Sequence, residues 1–328
     1  MGIKLETGGH TNNVYNSDLW ILSPGISDKI EIIRNAKNKG IKIVSEIEFA
    51  SWFTDKPIIA VTGTNGKTSV ASMLYEVMTN LKYKCGLIST VAIKYCDVFH
   101  EATHTTPDAI SIQKYLSERW VKGITHCFME VSSHGIAQHR VSGLYFSGGV
   151  FTNLTHDHLD YHGSFKNYRD IKKVFFDLLP PKSFALSNTD DKNGMYMMQN
   201  TKAKKIHYAL KRAADYQAKI LEQQFSGMLL KINNQELWTS LVGNFNTYNL
   251  LAVFATTEQL GVDPLEVLKQ LSKLKSQVGR FQIFQTKEEI TIIIDYAHTP
   301  DALTTCTVSY THLRAHETKA NLVFRRLL

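Results

Sequence analysis

Thiols are scarce in this chain of 328 residues, and none is arranged as a pair: Cys85, Cys96, Cys127 and Cys306 show no C-x-x-C spacing. Reduced thiols in a cytoplasmic protein are the simple reading. No apolar run approaches the roughly 18 residues that a membrane span needs, and the N-terminal stretch lacks the apolar core of a signal peptide. Internal repeats and low-complexity segments are absent as well. Charge of one sign does not dominate, since the net charge of +7 is mild and spread along the chain. With no RNA-binding motif of interleaved aromatics, an anionic ligand or solubility accounts for that charge as well as nucleic acid would. Apolar residues are plentiful at 43%, enough for sizeable cores, and this length is expected to form two or three domains.

Residues 58 to 68 read Ile-Ile-Ala-Val-Thr-Gly-Thr-Asn-Gly-Lys-Thr. The run Ile58 to Val61 predicts a buried strand. Ser69 to Leu81 is compatible with a helix, because Val70, Leu74, Val77 and Met78 fall close to a 3.6-residue period. Between them lies a small-residue loop, Gly63-Thr64-Asn65-Gly66, followed by Lys67, Thr68 and Ser69. A strand, a glycine loop, a lysine and a helix together form a phosphate cradle. Glycines let backbone N–H groups approach the anion, and the helix N-terminus adds partial positive charge. Lys67 is placed to reach β- and γ-phosphates and the Thr68 hydroxyl to bind Mg²⁺. The position that the general phosphate-loop spacing assigns to its first glycine is Val61, so the pattern departs by one glycine.

Along the chain, Leu19 to Leu22, a helix over 29–39 and Ile41 to Val44 predict a small α/β piece, with a linker at Asp55-Lys56-Pro57. From there to about Val278, strands near 58–62, 85–89, 124–131, 148–152, 183–187 and 205–208 alternate with helices. The helices are expected near 67–81, 108–118, 164–179, 190–200, 245–260 and 264–274. That alternation predicts an α/β fold with a largely parallel sheet covered on both faces, and 217–240 reads as added antiparallel strands. Near Gly279 the pattern restarts with Arg280 to Phe284 and Ile290 to Asp295.

Several polar constellations follow apolar strands. Glu130 ends the strand-like run from Ile124, where open α/β sheets bind ligands, and one or two carboxylates with substrate phosphates commonly hold Mg²⁺. Ser132 and His134 could be read as nucleophile and base, but residues two apart rarely form such a pair and no oxyanion loop is visible. The densest polar segment runs from Phe151 to His162 and contains His156, His158, Asp160 and His162. These residue types suit zinc. With Tyr161 intervening and a phosphate loop nearby, a nucleotide-bound magnesium site is the better reading.

Gly63 to Thr68 resembles the ATP loop of the Mur ligases, the ATP-dependent amide-forming enzymes of peptidoglycan synthesis. Thr105-Thr106-Pro107, Glu130 to His134 with Gln138-His139-Arg140, Asn153 to Gly163, Gly243 to Asn249 and Asp295 to Leu303 resemble the MurE branch in particular. That branch adds the third amino acid, usually meso-diaminopimelate or L-lysine, to UDP-N-acetylmuramoyl-L-alanyl-D-glutamate. The resemblance implies ATP and Mg²⁺ as cofactors, and the UDP-muramoyl-dipeptide and an amino acid as partners. It implies a monomer in the cytoplasm, with neither nucleic acid nor a membrane span. Thr105, Thr106, Ser132, Gln138 and Arg140 match positions that hold the UDP-sugar-peptide, for which hydroxyls, an amide and a guanidinium are suitable partners. Glu130 and His158 match metal ligands. Lys172 falls where the family carries a carbamylated lysine, a modification that turns a cation into an anion able to bind a second Mg²⁺; Lys173 leaves the register open by one. Asn246 and Asn249 share a helix face and match the stretch that helps hold adenine, while Asp295 matches the residue that binds the ribose. For both asparagines helix capping is the alternative.

The resemblance has limits. Leu22 to Ile26 and Glu46-Ile47-Glu48 look more like the MurC and MurD branches, and nothing after Leu303 continues the family pattern. The expected organisation is therefore a shortened UDP-substrate domain at 1–55 and a central ATP-binding domain at 56–278. The start of a truncated, Rossmann-like C-terminal domain follows at 279–307. The stretch 308–328 fits no α/β continuation, resembles a recurrent non-native tail and is expected to add little to the fold. A related Mur or folylpolyglutamate-type ligase, or a nucleotide-binding fragment without ligase activity, are the alternatives.

Overall fold

A computed structural model describes residues 6–23, 26–27, 30–45, 49, 56–95, 98–285 and 290–315. The motif positions at Pro24-Gly25 and Glu46 to Glu48, the thiol of Cys96 and the tail beyond 315 lie outside the described residues. Contacts group residues 1–55 with 141–145 into one unit, and 56–140 with 146–328 into another.

In the first unit β1 (Leu19–Leu22) pairs in parallel with β2 (Lys42–Ser45). The helix Glu31–Asn38 connects them and buries Ile33 and Ala36. Tyr15 stacks on Trp20 with ring centroids 5.7 Å apart.

The second unit is built on β3 (Ile58–Thr62), every residue of which is buried. A strand apolar on both faces belongs in the middle of a parallel sheet. Indeed β3 lies between β7 (His126–Glu130) and β8 (Gly148–Phe151), parallel to both. Outward from β7 come β4 (Cys85–Ile88), parallel, then the short antiparallel β5 (Ile93–Tyr95) and β6 (Val98–His100). Outward from β8 come β9 (Phe184–Asn188) and β10 (Lys204–Ala209), parallel, and β11 (Tyr216–Gln224), parallel to β10. The antiparallel β12 (Gly227–Ile232) and β13 (Gln235–Thr239) complete an 11-stranded sheet.

Side chains alternate across the sheet. Val61 and Val150 join the main core with Val70 and Leu74 of the helix Lys67–Asn80 and Leu250 and Val253 of the helix Asn244–Gln259. On the opposite face Phe151 meets Phe176 of the helix Phe165–Asp177 edge to face, with centroids 6.3 Å apart. The strands and long helices expected from periodicity are present, with bounds moved by up to three residues, as in Ala109–Val121 and Pro264–Leu271. The expected helix over 190–200 shrinks to Gly194–Met197. Its would-be first turn is diverted, because Asp191 accepts from the backbone of Asn193 at 2.7 Å and of Leu154 at 2.8 Å, and Asp190 accepts from Leu210 and Lys211. Aspartates that bond to backbone compete with helix formation.

Beyond Gly279, β14 (Gln282–Gln285) and β15 (Thr291–Ile294) form an antiparallel pair. The helix Pro300–Ala315 follows. The expectation that residues from 308 onward add little to the fold does not hold for 308–315. Tyr310 and Leu313 are buried in the main core, and Tyr310 faces Phe225 at 6.0 Å. Two strands alone bury too little surface to stand free, and here they and this helix close on the core of the same unit.

Candidate active site

The C-terminal ends of β3, β7 and β8 deliver Gly63, Glu130 and Thr152 to one edge of the sheet. Gly63 has φ +148°, and a Cβ there would overlap Thr152 Oγ1. Gly66, at φ +82°, would bring a Cβ to 2.7 Å from Asn249 Oδ1. Both positions need glycine for backbone conformation and for space. The loop between them is held by the segment after β8. Thr64 N donates to Asn153 O at 2.8 Å, Asn65 N to Asn153 Oδ1 at 2.8 Å, and Thr152 Oγ1 to Asn65 O at 2.6 Å. Thr64 Oγ1 lies 3.0 Å from the hydroxyl of Tyr168, a buried residue of the helix Phe165–Asp177.

Lys67 Nζ folds onto its own loop, donating to Gly63 O at 3.0 Å and Thr64 O at 2.7 Å. Burial holds its pKa below the ordinary lysine value, while Glu130 and Asp157 pull it back up. Thr68 Oγ1 donates to Glu130 Oε2 at 3.0 Å, and Thr90 N to Glu130 Oε1 at 2.7 Å. Glu130 is fully buried; burial raises its pKa, opposed by Lys67 and by these hydrogen bonds. Arg280 Nη2 comes to 3.4 Å from Thr68 Oγ1.

Lys172 is only 1% exposed and turns to the loop, its Nζ donating to Gly63 O at 3.0 Å. Burial, and Lys67 beside it, drive its pKa well below the ordinary value. Lys173 instead pairs with Asp177 at 2.7 Å along its own helix. Of the two lysines, Lys172 is the one that faces the loop. His158 sits in the left-handed region at φ +51°. Its N–H is bonded to Asp157 Oδ1 at 2.9 Å, and its ring meets His134 edge to face at 4.9 Å. A non-glycine residue held there is uncommon and directs attention to function.

Two cavities open on this edge. The larger, ≈ 920 Å³, is lined by the loop from Thr64 to Ser69, Glu130, His158, Asn249, Arg280 and Asp295, among others. The smaller, ≈ 220 Å³, is reached by Thr105, Thr106, Ser132, Arg140 and Lys172. Lys67 and His158 border both. Arg140 donates to Thr106 O at 2.7 Å, and Gln138 Oε1 accepts from Arg140 Nε at 2.9 Å, so Gln138 orients the guanidinium without lining either cavity. Ser132 Oγ accepts from Gly135 N at 3.0 Å and caps the helix Ser133–Ala137. Asn246 does not line the larger cavity. Its amide donates to Val242 O at 2.8 Å, a local helix-start bond, and Asn249 alone of the two reaches the loop. Of the other histidines in the dense polar segment, His156 stacks on Phe165 and His162 bonds Ser133 at 2.9 Å. His162 and His158 both pack against the His134 ring, with centroids at 5.5 and 4.9 Å, and among the described residues no three His, Cys, Asp or Glu gather as a metal cage. Sequence assigns no site role to Thr152, Tyr168 or Arg280, and reaches Asn153 only as the start of the Asn153 to Gly163 motif. Thr152 and Asn153 stand directly after the apolar strand β8, at the same sheet edge as Glu130 at the end of β7, and that position is the available signal.

Residues 61–257, more than half of the chain, match the Mur ligase middle domain. The UDP-N-acetylmuramoyl-L-alanyl-D-glutamate--2,6-diaminopimelate ligase of Cytophaga hutchinsonii is 50% identical over 270 residues, covering 81% of this chain and 56% of that protein. The ligase of the same name from Parabacteroides distasonis is 51% identical over 258 residues, covering 77% and 53%. The chain spans about half the length of the curated relatives it matches. A solved structure of a ligase of that name superposes with TM-score 0.71 at 26% identity, over 89% of this chain and 67% of the other. The structure of MurF from Acinetobacter baumannii, 16% identical with TM-score 0.66, shares the fold. A middle-domain match over most of the second unit's sheet makes this chain a member of the Mur ligase family.

Proposed function

We propose that the chain carries the nucleotide and acceptor sites of a ligase that adds 2,6-diaminopimelate to UDP-N-acetylmuramoyl-L-alanyl-D-glutamate in the cytoplasm, at the expense of ATP. The observation that carries this reading is the meeting of two cavities at Lys67. One is large enough for a nucleotide, and the other is lined by groups that suit a carboxylate. The relatives' names supply the identity of the amino acid.

In this reading the loop from Gly63 to Ser69 cradles the phosphates, the helix Lys67–Asn80 adds its N-terminal partial charge, and Lys67 leaves its loop carbonyls for the β- and γ-phosphates. Asn249 and Asp295 border the nucleoside end, with Asn246 behind Asn249. Thr68 and Glu130 fit a magnesium ion. They are hard oxygen donors already 3.0 Å apart, which suits an ion that also takes phosphate oxygens. His158 and a carbamylated Lys172 would complete the cation sites. Magnesium there supplies charge neutralisation on the transferring phosphoryl group. Thr105, Thr106 and Arg140 hold the acidic substrate, with Ser132 and Gln138 fixing the helix end and the guanidinium. The substrate carboxylate attacks the γ-phosphorus, ADP leaves, and the resulting acyl phosphate is opened by the incoming amine with release of phosphate. Positioning and preorganised positive charge are the protein's contribution. In the same reading 1–55 serves the UDP-substrate and 279–307 opens a C-terminal domain.

The test is a titration of the chain with ATP by calorimetry. Saturable binding that Lys67→Ala abolishes is the expected result; equal affinity in the variant would refute the loop as the nucleotide site.

A further inference from the structure

The dipeptide Asn-Gly occurs twice in the chain, at Asn65-Gly66 in the phosphate loop and at Asn193-Gly194 after β9. Glycine has no side chain to shield its N–H, so its nitrogen can attack the carboxamide of a preceding asparagine. The fold treats the two pairs differently. Gly194 N donates to Asp191 O at 2.9 Å, Asn193 Nδ2 donates to Asp191 Oδ1 at 3.2 Å, and Asn193 is only 6% exposed. Nucleophile and target are both tied down there. In the loop, neither the Asn65 carboxamide nor the Gly66 N–H has a hydrogen-bond partner among the described residues. Asn65 stands in the wall of the larger cavity, half-buried.

Asn65 O belongs to the same amide as the Gly66 N–H. It accepts from Thr152 Oγ1 at 2.6 Å and from Asn153 Nδ2 at 3.1 Å. When that N–H loses its proton, negative charge spreads onto Asn65 O, where these two donors already stand. Gly66 also begins the helix Lys67–Asn80, whose N-terminal partial positive charge favours the same anion.

We propose that Asn65-Gly66 is a self-modification site, at which the loop without nucleotide converts Asn65 to aspartate and isoaspartate through a cyclic imide. Gly66 N passes its proton to water and bonds to Asn65 Cγ. The carboxamide nitrogen takes up a proton and leaves as ammonia. Water then opens the imide at either carbonyl, giving aspartate or, with the chain rerouted through the side-chain carbon, isoaspartate. The net change is amide plus water to carboxylic acid plus ammonia, with nothing oxidised or reduced. Either product sets a carboxylate in the loop. The consequence rests on the proposed function: that carboxylate repels phosphates, whereas a bound phosphate takes the Gly66 N–H and shields the pair. A loaded loop is protected and an empty one ages.

The experiment keeps the full chain in mildly alkaline buffer, with and without ADP, and follows both pairs by peptide mass mapping with an isoaspartate assay. Without ADP, conversion at Asn65 at least tenfold faster than at Asn193 is expected; conversion no faster than at Asn193 overturns the proposal. Thr152→Val, its fold checked by thermal melting, removes one donor to Asn65 O. It should slow conversion at Asn65 and leave Asn193 unchanged, and an equal or higher rate at Asn65 overturns the assignment of that oxygen as the charge acceptor. ADP separates the two readings. Fast conversion at Asn65 that excess ADP leaves unchanged removes the nucleotide reading of the loop alone. ADP binding in calorimetry, with Asn65 as stable as Asn193, removes the self-modification alone.

Discussion

At the scale of single residues, the site depends on positions where a small change meets a fixed neighbour. Gly66→Ala puts a methyl 2.7 Å from Asn249 Oδ1 and forces a side chain into a backbone region costly for L-residues. The expected outcome is loss of ATP binding with little change in secondary structure, read by calorimetry and circular dichroism. Lys172 makes a separate case. If it carries a carbamate in the working enzyme, intact mass measured at high bicarbonate should show the added carboxyl group. Activity should fall in Lys172→Ala and return in part with added chloride or small carboxylates. Full activity in the alanine variant would end that assignment. Nothing in the sequence distinguishes Lys172 from Lys173; the fold does, by giving one the loop carbonyl and the other Asp177.

At the scale of elements, the phosphate loop is not held by its own strand and helix alone. The segment after β8 supplies a hydrogen-bonded brace through Thr152 and Asn153. Removing the Asn153 amide leaves Asn65 N–H without its acceptor. Asn153→Ala is therefore expected to cost about 1–3 kcal/mol, with faster amide exchange concentrated at Thr64 to Gly66. Uniform exchange across the domain would count against a local brace. The element pattern itself was readable: alternating apolar runs and 3.6-residue periods located the parallel strands and long helices. The three-residue strands β5 and β6 were not, because so short a run has no period to read, and only pairing with β4 makes them strands.

At the scale of the whole molecule, two tests address stability. Leu313 is fully buried in the main core, so Leu313→Ala should lower the urea unfolding free energy by about 2–5 kcal/mol. A change near zero would restore the view that this segment adds nothing. The second concerns acid. Burial holds His134, His158 and His162 below the ordinary imidazole pKa. The unfolded chain therefore takes up these protons first. Their contribution is complete above about pH 6.5, the unfolded value, and is lost as pH falls towards the lower folded values. His162→Gln should flatten the decline of the unfolding midpoint below that pH. Curves that stay parallel from pH 7.5 to pH 5 would exclude the effect for His162.

The strand, the glycine loop, the lysine and the helix were determined by sequence alone, because hydrophobic period, glycine and helix-start chemistry act within a dozen neighbouring residues. So was the presence of acidic and imidazole side chains at the ends of apolar strands. Tertiary structure decided which of those side chains face the ligand space. It gave Ser132 both a helix cap and a place in the smaller cavity's wall, gave Asn246 to a backbone carbonyl, left Asn249 at the loop, and drew Tyr310 and Leu313 into the core. Each of those outcomes depends on a partner's position in three dimensions, and competing partners of equal chemistry look alike along the chain.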